Sequence, residues 1–263
     1  MISVITIVLN GENELRQTIN SVLQQTYERV EYIVIDGGSA DGTVAILKEY
    51  EPHLAYWSSE KDKGISDAFN KGIARAKGEI VGLINAGDWY EPDTLEQVAA
   101  VFQRDKSVDV VCGTLQFWKG KCREYLCTSV PQLLECEMSV THPTCFVRKE
   151  SYSRAGLFSL DYKMAMDYEM LLRLKKLGCR FVSLNCVLAN MQHYGVSEEN
   201  WQAALHETHR ARKALLGSSF YTTIWYYWFL YLKRRIRLLL EELGWERVLR
   251  FYRKRIALVK KFK

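Results

Sequence analysis

The sequence predicts an α/β fold: a mostly parallel central sheet flanked by helices, followed by a helical C-terminal tail. Two observations carry this. Apolar, β-branched runs at residues 2 to 9 (ISVITIVL) and 32 to 35 are each followed by a polar loop and then by helical spacing. That alternation is the signature of parallel strands joined by right-handed crossovers. A third apolar run, residues 80 to 84, ends abruptly in Asn85-Ala86-Gly87-Asp88. A carboxylate beside a glycine at the end of a buried strand sits where open α/β sheets bind ligands.

Each element follows in order. After the first strand and the turn 10 to 13, Leu15, Ile19, Val22 and Leu23 recur at helical spacing. The second strand ends at Asp36, and the run 36 to 43 (DGGSADGT) leads into a helix near Thr43 with Val44, Leu47 and Tyr50 on one face. This glycine-rich run lacks both GxGxxG and GKS/T, which excludes the dinucleotide fingerprint and the P-loop. It offers a carboxylate, Asp36, able to accept from a base N–H or a ribose hydroxyl; the competing reading is a loop whose glycines serve its shape alone. A further helix places Ile65, Phe69 and Ile73 on one stripe, with Asp67, Asn70 and Lys71 on a polar flank. Lys63 and Gly64 precede it, and a helix N-terminus near a lysine suits a diphosphate. Asp88 suits a hard cation such as Mg²⁺ or Mn²⁺ that bridges to phosphates, or else is a turn residue.

Beyond residue 95 the pattern predicts a helix (95 to 102), a strand (108 to 115) paired as a hairpin with 116 to 127, a loop (128 to 141) and a strand (145 to 148). His142, before Pro143, lines an acceptor pocket or is structural. Leu171, Leu172 and Leu174 mark a buried helix whose first turn holds Asp167, with Glu169 pointing elsewhere. Residues 180 to 184 read as a last strand, 190 to 197 as a loop and 201 to 216 as a closing helix.

The stretches VITIVLN, INSVLQQTYERVEYIVIDGGSADGT and SEKDKGISDAFNKGIARAKGEIVGLINAGDWYEPD resemble the family 2 glycosyltransferases of GT-A fold. The similarity covers roughly residues 1 to 100 and is closest to bacterial enzymes of exopolysaccharide, capsule and lipopolysaccharide assembly. It implies a cytoplasmic transferase moving a sugar from a nucleoside diphosphate sugar, UDP-linked by preference, to a hydroxyl of a glycan or lipid-linked acceptor, with inversion. By position it implicates Thr6, Val8, Asn10 and Glu12 near base and ribose, Asp36 on the base, and Lys63, Gly64, Asp67, Asn70, Asn85, Ala86 and Gly87 around the rest of the donor. The usual paired acids after the third strand are reduced here to Asp88, which is left to hold Mg²⁺ or Mn²⁺ with His193 as a further candidate. Of the family's later acidic motif, Met166 replaces the glutamate while Asp167 and Arg173 remain, which implies Asp167 as the general base; the competing reading is an N-cap carboxylate. The missing acids leave a second reading, a catalytically weak nucleotide-sugar-binding or assembly subunit. A nucleotidyltransferase of similar architecture is weaker still, because no basic glycine-rich loop accompanies it.

Composition sets the compartment and the tail. Hydrophobic content of 48% and charged content of 25% are those of a globular chain. Seven cysteines without CxxC spacing predict reduced thiols and a cytoplasmic setting, and the N-terminus shows no signal-peptide pattern. Net charge is +5, yet residues 233 to 263 carry twelve Lys/Arg against three Glu, so the preceding 232 residues sum to −4. A catalytic domain over 1 to 216 and a tail over 217 to 263 are therefore expected. The tail opens with FYTTIWYYWFLYL, thirteen residues that are too short to span a bilayer. It continues with leucines at helical spacing and basic opposite faces. That pattern predicts peripheral contact with the inner face of the membrane. Packing on the chain's own domain, or on a second subunit in a homo-oligomer, is the alternative. Nucleic acid is not an expected partner, because no recognition motif accompanies the charge.

Overall fold

The computed structural model describes residues 1–192, 200–245, 248 and 260–261. Its sheet is built on four parallel strands in the order β3 (Tyr56–Ser59), β2 (Val30–Asp36), β1 (Ile2–Val8), β4 (Ile80–Asn85). Strand β8 (Phe146–Arg148) runs antiparallel between β4 and β6 (Val110–Lys119). Strand β6 pairs antiparallel with β7 (Cys122–Thr128) and parallel with β9 (Phe181–Gln192), whose far end takes up the short β5 (Trp89–Tyr90). The pair β10 (Lys260–Lys261) lies against β7.

Strand alternation separates two cores. Ile2, Val4 and Val8 face helices α1 (Leu15–Leu23), α2 (Thr43–Tyr50) and α4 (Thr94–Arg104). Ile5 and Ile7 face α3 (Ile65–Arg75) and α6 (Met166–Lys176), which α5 (Lys149–Ala155) and α7 (Trp201–Leu216) support. Strands buried on both faces read as continuous apolar runs, which is why β1, β2 and β4 stand out in the sequence. Gly72 lets α3 lie close on the sheet: a Cβ there would come within 2.4 Å of the Ile5 side chain.

Several boundaries differ from expectation. The hairpin turns at Gly120, whose φ is 57°, so residues 116 to 119 belong to β6 and not to its partner. Strand β9 runs to Gln192, taking Asn190, Met191 and Gln192 out of the expected loop, because β5 offers its end a second pairing edge. Strands β3 and β5 and helix α5 carry too few patterned residues to be legible alone. On α2 the buried pair is Ile46 and Leu47 while Val44 is half-buried, and on α3 the stripe residue Ile65 is exposed.

The tail forms α8 (Ile224–Glu242), which packs on its own chain. The buried Tyr226 hydroxyl donates to the Cys136 carbonyl at 3.0 Å, and Lys233 pairs with Glu137 at 3.3 Å. Arg212 of α7, also buried, donates to the Cys136 carbonyl and lies 5.3 Å from the Tyr226 ring. Among the described residues no helix is long and apolar enough to cross a membrane.

Candidate functional site

The carboxyl ends of β1, β2 and β4 lie side by side, Val8 opposite Asp36 and Ile7 opposite Asn85. The loops leaving them are stitched together. Asn10 accepts the Ala40 N–H at 2.9 Å through its side-chain oxygen, and Glu12 accepts the Gly42 N–H at 2.7 Å. The Glu12 N–H in turn donates to Asp41 at 3.1 Å. Asp36 is fully buried at the end of β2. Its carboxylate accepts the Ser39 N–H at 3.0 Å, the Ser39 hydroxyl and the Ser59 hydroxyl at 2.6 Å. Gly37 allows the 36–43 loop to press on the next one, since a Cβ there would fall 2.5 Å from the Asp62 carboxylate. Thr6 sits two residues inside the sheet, fully buried, its hydroxyl bonded to that of Tyr32 at 3.0 Å.

The start of α3 closes this edge. The Lys63 side chain is exposed, while its N–H donates to Asp67 at 3.0 Å. Gly64 adopts a φ of 107° with open space around it. Asn70 points elsewhere: its amide donates to the Phe158 carbonyl at 2.9 Å and accepts the Phe158 N–H at 2.8 Å. It therefore ties α3 to the loop before α6.

At the end of β4 the chain turns through Gly87, with a φ of 97° that favours glycine. Thr18 of α1 holds the turn, its hydroxyl donating to the Asp88 carbonyl at 2.7 Å and accepting the Gly87 N–H at 3.0 Å. Ala86 donates its N–H to the Ile7 carbonyl, fixing the turn to β1. Asp88 is buried, and burial pushes its carboxyl up to about 8. Its Oδ2 and the Oδ1 of Asn85 are both buried without a hydrogen-bond partner. Buried polar atoms are otherwise almost always paired, so two orphaned oxygens on one turn call for a ligand. Hard oxygens of this kind fit Mg²⁺ or Mn²⁺. Among the described residues no group of three or more His, Cys, Asp or Glu converges, so the remaining ligands would come from phosphate and water. His193 lies outside the described residues.

Asp167 occupies the first turn of α6, half-buried, its Oδ1 accepting the Tyr168 N–H at 2.7 Å. Burial raises its pKa, and the neighbouring His142 opposes the rise. The His142 pKa is in turn lowered by burial against the pull of Asp167. The imidazole is wedged against Phe69 of α3, ring centroids 5.2 Å apart, and edge-on to Phe158 at 6.4 Å. Burial thus makes the Asp167 carboxylate more basic and disfavours the charged form of His142 beside it. Arg173 does not reach it: the guanidinium pairs with Glu169 at 2.6 Å and donates to the Ala155 and Leu157 carbonyls.

Ser39, Ser59, Thr18 and Glu207 also hold these elements in place, without a local pattern that assigns them that role. The serines lie in or beside recognised loops, but a serine in a loop carries no signal until its partner is known. Glu207, on α7, accepts three backbone N–H groups just before α6. Nothing local in the sequence marks it.

The sequence profile of Glycosyl transferase family 2 matches residues 3–154. An uncharacterized glycosyltransferase of Mycobacterium tuberculosis is 34% identical over 209 residues, covering 78% of this chain and 79% of its own. A PGL/p-HBAD biosynthesis glycosyltransferase of Mycobacterium bovis is 29% identical over 177 residues, 66% of this chain and 69% of that one. Among solved structures, Staphylococcus aureus TarS 1-349 in complex with UDP-GlcNAc superposes with a TM-score of 0.64 at 19% identity, over 80% of this chain and 66% of that chain. The mannosyltransferase PcManGT of Pyrobaculum calidifontis, in complex with GDP-Man and Mn²⁺, gives 0.65 at 21% identity, over 83% and 65%. These structural likenesses are of fold, which is GT-A.

Proposed function

The chain belongs to glycosyl transferase family 2 and is a glycosyltransferase; on that premise we propose an inverting enzyme acting at a membrane surface. It takes sugar from a nucleoside diphosphate sugar, UDP-linked by preference, and places it on a hydroxyl of a glycan or lipid-linked acceptor in cell-surface polysaccharide synthesis. The observation that carries this reading is the contrast among three carboxylates. Asp36 is hydrogen-bonded into the donor edge, Asp88 holds an orphaned oxygen, and Asp167 is a base of raised pKa.

The loops at Val8, Asn10, Glu12 and Asp36 shape the wall for base and ribose. Lys63, Gly64 and the N-terminus of α3 face the diphosphate with positive potential. Asp88 and Asn85 would hold Mg²⁺ or Mn²⁺, which when bound would offset charge on the departing diphosphate. Asp167 takes the proton of the acceptor hydroxyl as its oxygen bonds to the anomeric carbon and the bond to diphosphate breaks. One base and one displacement invert that carbon. The test is transfer from UDP-, GDP-, CDP- and TDP-sugars to hydroxyl acceptors, with the product linkage read by NMR. An inverted linkage with one nucleotide supports the reading. Retention, or binding without turnover on any acceptor, sinks it in favour of a binding subunit.

The membrane part of the reading, which assigns residues 217–263 to a separate tail, rests on α8. Its exposed side chains from 224 to 240 are Ile224, Trp225, Trp228, Phe229, Leu232, Arg235, Ile236 and Leu239. Seven of the eight are apolar, while Lys233, Arg234 and Arg237 are half-buried on the protein side. A helix that turns its apolar face outward, rich in Trp and flanked by base, suits an anionic lipid interface. Flotation with vesicles containing phosphatidylglycerol should capture the wild type but not Trp225→Glu/Phe229→Glu. Equal capture, or loss of a dimer on mutation, would contradict it.

A further inference from the structure

Helix α6, which carries Asp167, begins without a cap of its own. Its N-cap is Ala165, which has no oxygen to offer, and no side-chain cap bond is formed there. A helix start leaves N–H donors unpaired at the positive end of the helix dipole. Another helix, 42 residues beyond Ala165, supplies an acceptor for the N-cap N–H and for the two amides that lead into it. Glu207 of α7 accepts the N–H of Lys163 at 3.0 Å, of Met164 at 2.8 Å and of Ala165 at 2.9 Å. Burial alone would raise its pKa, yet these three amides, with Arg210 nearby, hold it below the usual carboxylate range.

The same stretch of α7 grips the loop a second time. The Arg210 guanidinium donates to the Asp161 carbonyl and lies 4.4 Å from the Tyr162 ring centroid. From the sheet side the Ser66 hydroxyl of α3 donates to the Tyr162 carbonyl at 3.4 Å. Residues 161 to 165 are therefore held from two sides, and Asp167 follows two residues after the last amide that Glu207 accepts.

We propose that Glu207 is the positioning residue for Asp167. It fixes the start of α6 from across the domain, so that the carboxylate meets the acceptor hydroxyl in one geometry. This role rests on the reading of Asp167 as the base. Glu207 touches no reacting atom; it acts through the backbone of 163–165. It also makes α7, on which the tail helix packs, part of the catalytic framework.

The test combines hydrogen exchange with kinetics on the full chain. In the wild type the amides of Lys163, Met164 and Ala165 should exchange slowly for a loop. In Glu207→Ala they should exchange at least ~10-fold faster, with α3 unchanged. Displacing a base by about 1 Å costs up to ~100-fold in turnover. Glu207→Ala should therefore lose roughly 10- to 100-fold in kcat with donor Kd unchanged. Glu207→Gln, which keeps one acceptor oxygen, should fall between and stands in if the alanine variant fails to fold. Unchanged exchange at 163–165, or equal losses in kcat and donor affinity, would overturn the proposal. Asp167→Asn is the parallel control. If it still turns over, the base assignment fails, while the exchange result still decides whether Glu207 holds the loop.

Discussion

The end of β2 and the end of β4 lie one strand apart, yet they treat a carboxylate in opposite ways. At β2, every lone-pair direction of Asp36 that the structure shows in use is filled from within the chain, by Ser39 and Ser59. At β4, Asp88 is just as deep but keeps an oxygen with no partner, and its carboxyl rises to about 8. The first arrangement spends its hydrogen bonds on shape and gives a rigid wall before any ligand arrives. The second leaves a deficit that a bound cation would fill, which is the arrangement expected where binding energy is drawn. Asp167 resembles Asp88 in its raised pKa, but one of its oxygens is tied to Tyr168, which aims it.

This contrast can be broken in several places. The largest effect belongs to Asp167. Asp167→Asn should reduce transfer by at least about a thousandfold, the upper range for a general base, with donor affinity intact. A variant that keeps more than a tenth of wild-type kcat would remove Asp167 from the reaction.

The next concerns Asp88 and stability. Its folded pKa, about 8, stands above the unfolded value of about 3.9. The stability it contributes is fully present below the unfolded pKa and is lost as pH rises toward 8. Asp88→Asn has no such loss. In chelator, its Tm should match wild type only below about pH 3.9 and exceed it by a margin that grows up to pH 8, at roughly 2–4 °C per kcal/mol for a chain of this size. A Tm difference that does not grow with pH would show that Asp88 is hydrated or paired in solution.

A smaller effect is expected at Thr18, which supports the Gly87-Asp88 turn through two hydrogen bonds. Thr18→Val should cost about 1–3 kcal/mol, because it leaves a buried N–H and carbonyl unpaired. It should also weaken cation-dependent donor binding. Ser59→Ala removes one of several donors to Asp36. It should cost only about 1 kcal/mol and leave metal dependence unchanged. If Ser59→Ala altered metal dependence, the two strand ends would not be separate in function.

The same contrast governs how far the molecule can be read from its residues. Strands β1, β2 and β4 are legible because both their faces are buried, and the ends of those strands announce Asp36 and Asp88. Asp167 is visible through the apolar helix that follows it. What lies between is not. Asn70 makes two bonds with Phe158, 88 residues distant, a contact that no local pattern marks. Thr6 spends its hydroxyl on Tyr32 across the sheet. Glu207 acquires meaning only when α7 packs beside α6. Local periodicity encodes burial, but a polar side chain's role depends on partners that only tertiary structure supplies. The tail shows the same limit: its helical spacing is plain, but which face turns outward is set by Tyr226 and Lys233 docking on Cys136 and Glu137.

The central claim is that Asp88 and Asp167 do separate work, one holding the cation and donor and the other moving the proton. Isothermal titration of UDP-sugar with Mn²⁺ into wild type, Asp88→Asn and Asp167→Asn tests it most directly. The account predicts that Asp88→Asn loses Mn²⁺-dependent donor binding by at least about tenfold, while Asp167→Asn binds as the wild type does and fails only in turnover. Equal donor affinity in all three, or equal loss in both variants, would contradict it.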